Sequence, residues 1–157
     1  MKFHSDISAG TAHAHHGLTR LLHWCTFLTV VIAAAIIMIR SYAGDSSERR
    51  FLLHLHQEAG LVVLALTLLR LMWRTLSRSR SARTKATPAM RLGAAVVHTG
   101  LYLTLLALTI LGWLTSDASG HHLRVFDFEL PALIGRDHDL GDRLQEWHNN
   151  QIGRAHV

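Results

Sequence analysis

One cysteine, Cys25, stands in the whole of this 157-residue chain, so no internal disulfide can brace the fold. Acidic residues are missing from the stretch 74–91, although Arg74, Arg78, Arg80, Arg83, Lys85 and Arg91 all fall there. That imbalance is the mark of a cytoplasmic loop between membrane spans. The net charge of +5 points to no nucleic-acid partner, because the basic side chains gather in this loop instead of forming a stripe along the chain. A small-residue cleavage site is also missing behind the first apolar run. That run is too long for a signal-peptide core and lies behind a polar leader, so it is expected to stay in the membrane.

Hydrophobic residues make up 49% of the chain, and they are concentrated in blocks. Residues 21–39, 52–73 and 92–114 are each about 20 residues long, the length an α-helix needs to cross hydrocarbon. The expectation is one domain and an all-α fold: an integral membrane helical bundle with three transmembrane helices, at about 19–40, 51–74 and 91–115, and the start of a fourth at about 141. Residues 1–18 read as a cytoplasmic leader. With the basic loop inside, the amino terminus is cytoplasmic, and the stretch 116–142 lies outside. That stretch carries Asp117, Asp127, Glu129, Asp137, Asp139 and Asp142 against Arg124 and Arg136.

Three histidines sit where apolar runs begin, the last run too short to cross a bilayer: His23 in RLLHW, His56 in LLHLHQEAG and His148 in RLQEWHN. An ionisable group near hydrocarbon is costly and marks a ligand site or pathway, and neutral imidazole is a common ligand for haem iron. No Cys-x-x-Cys-His occurs, which excludes the usual covalent attachment, so any haem would be held by axial ligands and packing. The predicted topology puts His23 at the inner face and His56 and His148 together at the outer face. Helix phase separates His56 from its neighbour His54, since residues two apart point about 200° away from each other. From His56, steps along one face reach Gly60, Val63, Thr67 and Arg70, with a small residue and polar groups at depth. From His54 they reach Glu58, Leu61, Ala65 and Leu68, a mostly lipid-facing stripe.

His-Trp at the start of the first helix, His with Gly four residues on at the second, a histidine-bearing third helix and Glu-x-His at the fourth resemble the bacterial cytochrome b561 family, over roughly residues 19–150. The resemblance implies a four-helix membrane cytochrome of the bacterial inner membrane with two non-covalent b-type haems and a quinone as substrate. It implies that His56 and His148 are the axial pair of the outer haem and that His23 is one ligand of the inner haem. His98, with Tyr102 one turn later, falls where the family has a histidine near the inner haem and a proposed quinone pocket; the plain alternative is a structural histidine. Arg70 and, one turn before His23, Arg20 either snorkel to the interface or meet a propionate of the inner haem. The run 33–35 is small-residue helix packing or room for a porphyrin. Trp24, Trp73, Trp113 and Trp147 read as an interfacial belt. The remaining histidines, His4, His13, His15, His16, His121, His122 and His138, read as solvated.

The function expected is electron transfer between a donor and the quinone pool, with superoxide to ubiquinone as one version. The partners are then the lipid bilayer, ubiquinone or another quinone, and a redox partner protein if there is one. Two other readings are a cytochrome b anchor subunit of a larger dehydrogenase or hydrogenase, and a histidine-rich metal-binding protein or permease. Residues 151–157, Gln-Ile-Gly-Arg-Ala-His-Val, match the translation of a short-read sequencing adapter (AG ATC GGA AGA GCA CAC GTC). They read as a non-native tail, with chance likeness the alternative, so His156 is set aside. On that reading the native gene continues into a fourth apolar run of about 20 residues, with a histidine roughly 14 residues beyond His148. The full-length protein then holds two haems and the chain as written fewer.

Overall fold

The computed structural model describes residues 3–77, 87–121, 123–125 and 128–152. The side chains of His4, His13, His15 and His16, the cluster Arg78 to Lys85, His122, Asp127 and residues 153–157 with His156 lie outside what is described. Four helices follow one another: α1 (Phe3–Tyr42), α2 (Ser46–Ser77), α3 (Pro88–Ala118) and α4 (His138–Ile152). Between α3 and α4, β1 (Arg124–Val125) and β2 (Phe128–Glu129) pair antiparallel, Arg124 opposite Glu129 and Val125 opposite Phe128.

Three segments are long and apolar enough to cross a membrane: Gly17–Tyr42, Ser46–Leu76 and Pro88–Ala118. Their outward faces carry large apolar side chains that water would not tolerate in such density. Phe27, Val31 and Met38 on α1, Val62, Leu69 and Met72 on α2, and Val96, Leu101 and Leu103 on α3 are all exposed. Such faces are stable only against lipid.

Helices α1, α2 and α3 each run beyond their apolar block, because extending a formed helix adds one hydrogen bond per residue fixed whereas starting one is costly. The α1–α2 turn is closed by the Asp45 carbonyl accepting from Arg49 N at 3.0 Å and by Arg40 Nε donating to the Arg49 carbonyl at 3.2 Å. The Ser47 hydroxyl donates to the Asp45 carboxylate and holds its pKa below the ordinary value. Thr87 caps α3 by accepting from Met90 N at 3.3 Å, with Pro88 opening the first turn, where its missing N–H costs nothing.

Ser116 and Asp117, expected to open the acidic loop, are instead the buried last turn of α3. Asp117 is 2% exposed, and its Oδ2 accepts from Leu133 N at 2.8 Å, which ties the returning loop to the helix end. The fourth helix likewise begins earlier than about 141. Asp137 Oδ1 accepts from Leu140 N at 3.1 Å, an N-cap that starts α4 at His138. His148 therefore lies well inside α4, not at its opening. His138, placed in the loop by sequence, is the first residue of α4 and accepts from Arg136 Nε at 3.2 Å. Gly120 turns the chain out of α3 at φ 77, a left-handed backbone in which a side chain is strained.

The helices pack in sequence, α1 on α2, α2 on α3 and α3 on α4, and α4 touches no other helix backbone among the described residues. Helix α2 sits centrally. Its buried residues Val63 and Thr67 face the interior with Leu22, Thr26 and Ala33 of α1. Thr26 Oγ1 donates to its own helix at the Leu22 carbonyl, 2.7 Å away, so that hydroxyl needs no partner from outside.

Candidate functional site

The end of the bundle nearest the β-ribbon brings His56 and His148 together. Their ring centroids lie 6.3 Å apart with the planes at 79°, although the backbones of α2 and α4 do not pack on each other. The two side chains thus reach towards each other across a gap between helices. His56 is half-buried and His54, two residues earlier, is exposed.

His56 Nδ1 lies 2.9 Å from the Ala33 carbonyl of α1. A carbonyl can only accept, so Nδ1 carries the proton and Nε2 keeps its lone pair. Metal-ligating histidines are held in this way, with one ring nitrogen fixed by a carbonyl and the other free for the metal. His148 differs: its Nδ1 is buried with no hydrogen-bond partner, an arrangement that is costly unless a ligand or close packing compensates. An ion about 2 Å from a nitrogen of each ring, the usual metal–imidazole distance, requires ring centroids about 6 Å apart. The observed separation fits that requirement.

Two further residues shape this end, and the sequence reading missed both. Gln57, beside His56, donates from Nε2 to Ser116 Oγ at 3.3 Å, and Ser116 Oγ donates to the His121 carbonyl at 2.7 Å. This chain of bonds ties α2, α3 and the loop together next to the histidine pair. Gly112 of α3 lies under the His148 ring, where a Cβ would stand 3.3 Å from Cε1. A glycine in an apolar run carries no such signal, because only the position of α4 makes it significant.

The opposite end of the bundle gathers a second set. Thr19, Arg20, His23, Trp24, Arg70 and His98 line one cleft of about 310 Å³. The sequence singled out His23, Arg20, Arg70 and His98 separately, on three different helices, and the fold places them around one space. Tyr102 is buried behind it, with the Arg70 guanidinium 5.5 Å and the Arg74 guanidinium 5.8 Å from its ring centroid. Both cations therefore stack on an aromatic face, the geometry of cation–π attraction. His98 is exposed on α3, and its Nδ1 donates to the Ala94 carbonyl at 2.6 Å. Its Nε2 is thereby left as the acceptor.

The two ends are joined along α2 by the face predicted from His56. Val63 is 4% and Thr67 1% exposed, while Gly60 and Arg70 are intermediate. Thr67 Oγ1 is buried without a partner at mid-helix. Among the described residues no three His, Cys, Asp or Glu side chains converge on one point, so the histidines form a facing pair at one end and single positions elsewhere.

Helices of this length and surface, with ionisable groups gathered at both ends, define a multi-pass helical membrane protein. The family described as prokaryotic cytochrome b561 matches residues 14–153, and the chain belongs to that family. Membership implies a bacterial membrane location and binding of b-type haem. Over 97 residues the chain is 33% identical to Cytochrome b561 homolog 2 of Escherichia coli (strain K12), a match that takes in 59% of this chain and 52% of that protein. It is 27% identical over 127 residues to Probable superoxide oxidase CybB of Yersinia pestis, covering 81% of this chain and 72% of that one. The chain thus spans about half the length of the first relative.

Proposed function

We propose that the protein is a quinone-linked electron carrier holding b-type haem at both ends of its bundle. His56 and His148 would hold the outer haem between them, and His23 would supply one ligand of the inner haem. The observation that carries this reading is the facing pair: two imidazoles from different helices at metal-binding separation, one of them with its tautomer fixed by a backbone carbonyl. When bound, haem supplies a one-electron ferric–ferrous couple.

The protein's own residues do the rest. Ala33 aims the His56 lone pair. Arg70 and Arg20 line the cleft with His23 and would hold a propionate carboxylate by charge-assisted hydrogen bonds. His98 Nε2, an acceptor while Nδ1 is bound to Ala94, takes the proton of a quinol hydroxyl, and with both ring nitrogens protonated it donates to a quinone carbonyl. Tyr102, packed under Arg70, keeps that cation at the cleft.

The amino terminus is cytoplasmic in this reading and the membrane is the bacterial inner membrane, a sidedness supported by the acid-free basic stretch 74–91. Superoxide as donor and ubiquinone as acceptor form the finer version, suggested by the name of the Yersinia pestis relative. Against superoxide stands the acidic stretch 116–142, since an anionic donor is drawn in by a positive funnel.

The test is a reduced-minus-oxidised spectrum of the protein extracted from haem-replete membranes, with superoxide and a quinol supplied in turn as reductants. A b-type α-band that develops with the quinol is the expected result. A colourless protein would remove the reading, and a b-type band that superoxide cannot reduce would remove only the superoxide version.

A further inference from the structure

The two facing imidazoles are held by different means. The plane of His56 is fixed by the bond from Nδ1 to the Ala33 carbonyl. His148 has no such bond at Nδ1, which is buried without a partner; its backbone hydrogen bond is to Leu108 of α3. What lies against its ring is the backbone of α3 at Gly112. A Cβ there would stand 3.3 Å from Cε1, 3.8 Å from Nδ1 and 4.0 Å from Nε2. Gly93 and Gly100, also on α3, have nothing within 4 Å of the same position.

We infer that Gly112 is a positioning residue that sets the plane and depth of the His148 ring, doing by close packing what Ala33 does for His56 by a hydrogen bond. The inference rests on the haem reading above. Helix α4 has no slack with which to avoid a methyl group at this position. Its start is tied to the end of α3 by Asp137 N donating to the Ala118 carbonyl at 3.0 Å. A Cβ on Gly141 would already lie 3.4 Å from that of Ala118, so the two helices are in close contact there. A methyl at position 112 is therefore absorbed by the ring, which turns or slides by a few tenths of an ångström towards His56. Nδ1, buried without a partner, adds no hydrogen bond against that motion. The strength and orientation of an axial imidazole govern haem affinity and the ferric–ferrous balance, so the effect appears at the outer site alone.

The experiment compares Gly112→Ala with Gly100→Ala in haem-loaded protein extracted from membranes, reading the low-spin ferric EPR signal, the reduction midpoint and the haem retained. Gly112→Ala is expected to change the EPR signal of the outer site, raise its midpoint by weakening donation to ferric iron, and weaken haem retention by about tenfold. Gly100→Ala is expected to match wild type in all three. Gly112→Ala protein that keeps its haem with an unchanged EPR signal and midpoint would overturn the inference. A wild-type protein without a b-type spectrum would instead overturn the haem reading itself.

Alanine raises helix propensity over glycine, so the backbone gives no reason for the variant to fail. If Gly112→Ala nevertheless does not accumulate, the double variant with His148→Ala decides. Recovery of accumulation on removing the ring supports the contact, and no recovery overturns it.

Discussion

His56→Ala is expected to abolish the b-type signal of the outer site, while His54→Ala leaves it at wild-type intensity. The two residues lie two positions apart in the same apolar stretch and point about 200° away from each other around the helix. His56 is turned inward, bonded to Ala33 and facing His148, and His54 is exposed. If His56 is an axial ligand, as proposed, its removal costs more than the 10- to 100-fold in affinity typical of losing a supporting partner, so the outer haem should be lost on purification. Haem content and the α-band of the two variants, measured side by side, check this. Equal loss in both would mean that the inward face of α2 is not the one that binds.

A reporter fused within residues 78–85 is expected to read cytoplasmic and one fused near Asp127 to read external, an all-or-none contrast. The physical basis is the charge count: Arg74, Arg78, Arg80, Arg83, Lys85 and Arg91 flank the α2–α3 connection with no acid among them, and basic loops are retained on the cytoplasmic side. Alkaline phosphatase and green fluorescent protein fusions, active on opposite sides, give the readout. Reversed signals would exchange the two ends of the molecule and move the His56–His148 pair to the inner face. The pairing itself would survive, because it depends on helix packing and not on orientation.

Much of the fold was legible because membrane helices announce themselves. Three apolar blocks of spanning length leave no other way to satisfy the backbone in lipid, and the structure places α1, α2 and α3 over them. The inward face of α2 was equally readable, since a period of 3.6 residues fixes which of His54 and His56 shares a side with Gly60, Val63, Thr67 and Arg70. Helix ends were read less well. Ser116 and Asp117 looked like loop because they are polar and precede an acidic stretch, yet Asp117 is buried by a bond to Leu133, sixteen residues away. Local composition cannot foresee a partner so distant in the chain.

By itself the sequence determined the class of protein, the number and phase of the spanning helices and the individual side chains with a reason to be unusual, because those follow from hydropathy and helical period. Only the tertiary structure decided how these side chains combine. It set His23, Arg20, Arg70 and His98 around one cleft, and brought His148 within 6.3 Å of His56, measured between ring centroids. It also made Gly112, one small residue among many, the surface on which a ring rests. The reason is geometric: convergence depends on the rotation and offset of one helix against another, and these are set by contacts between residues far apart in the chain.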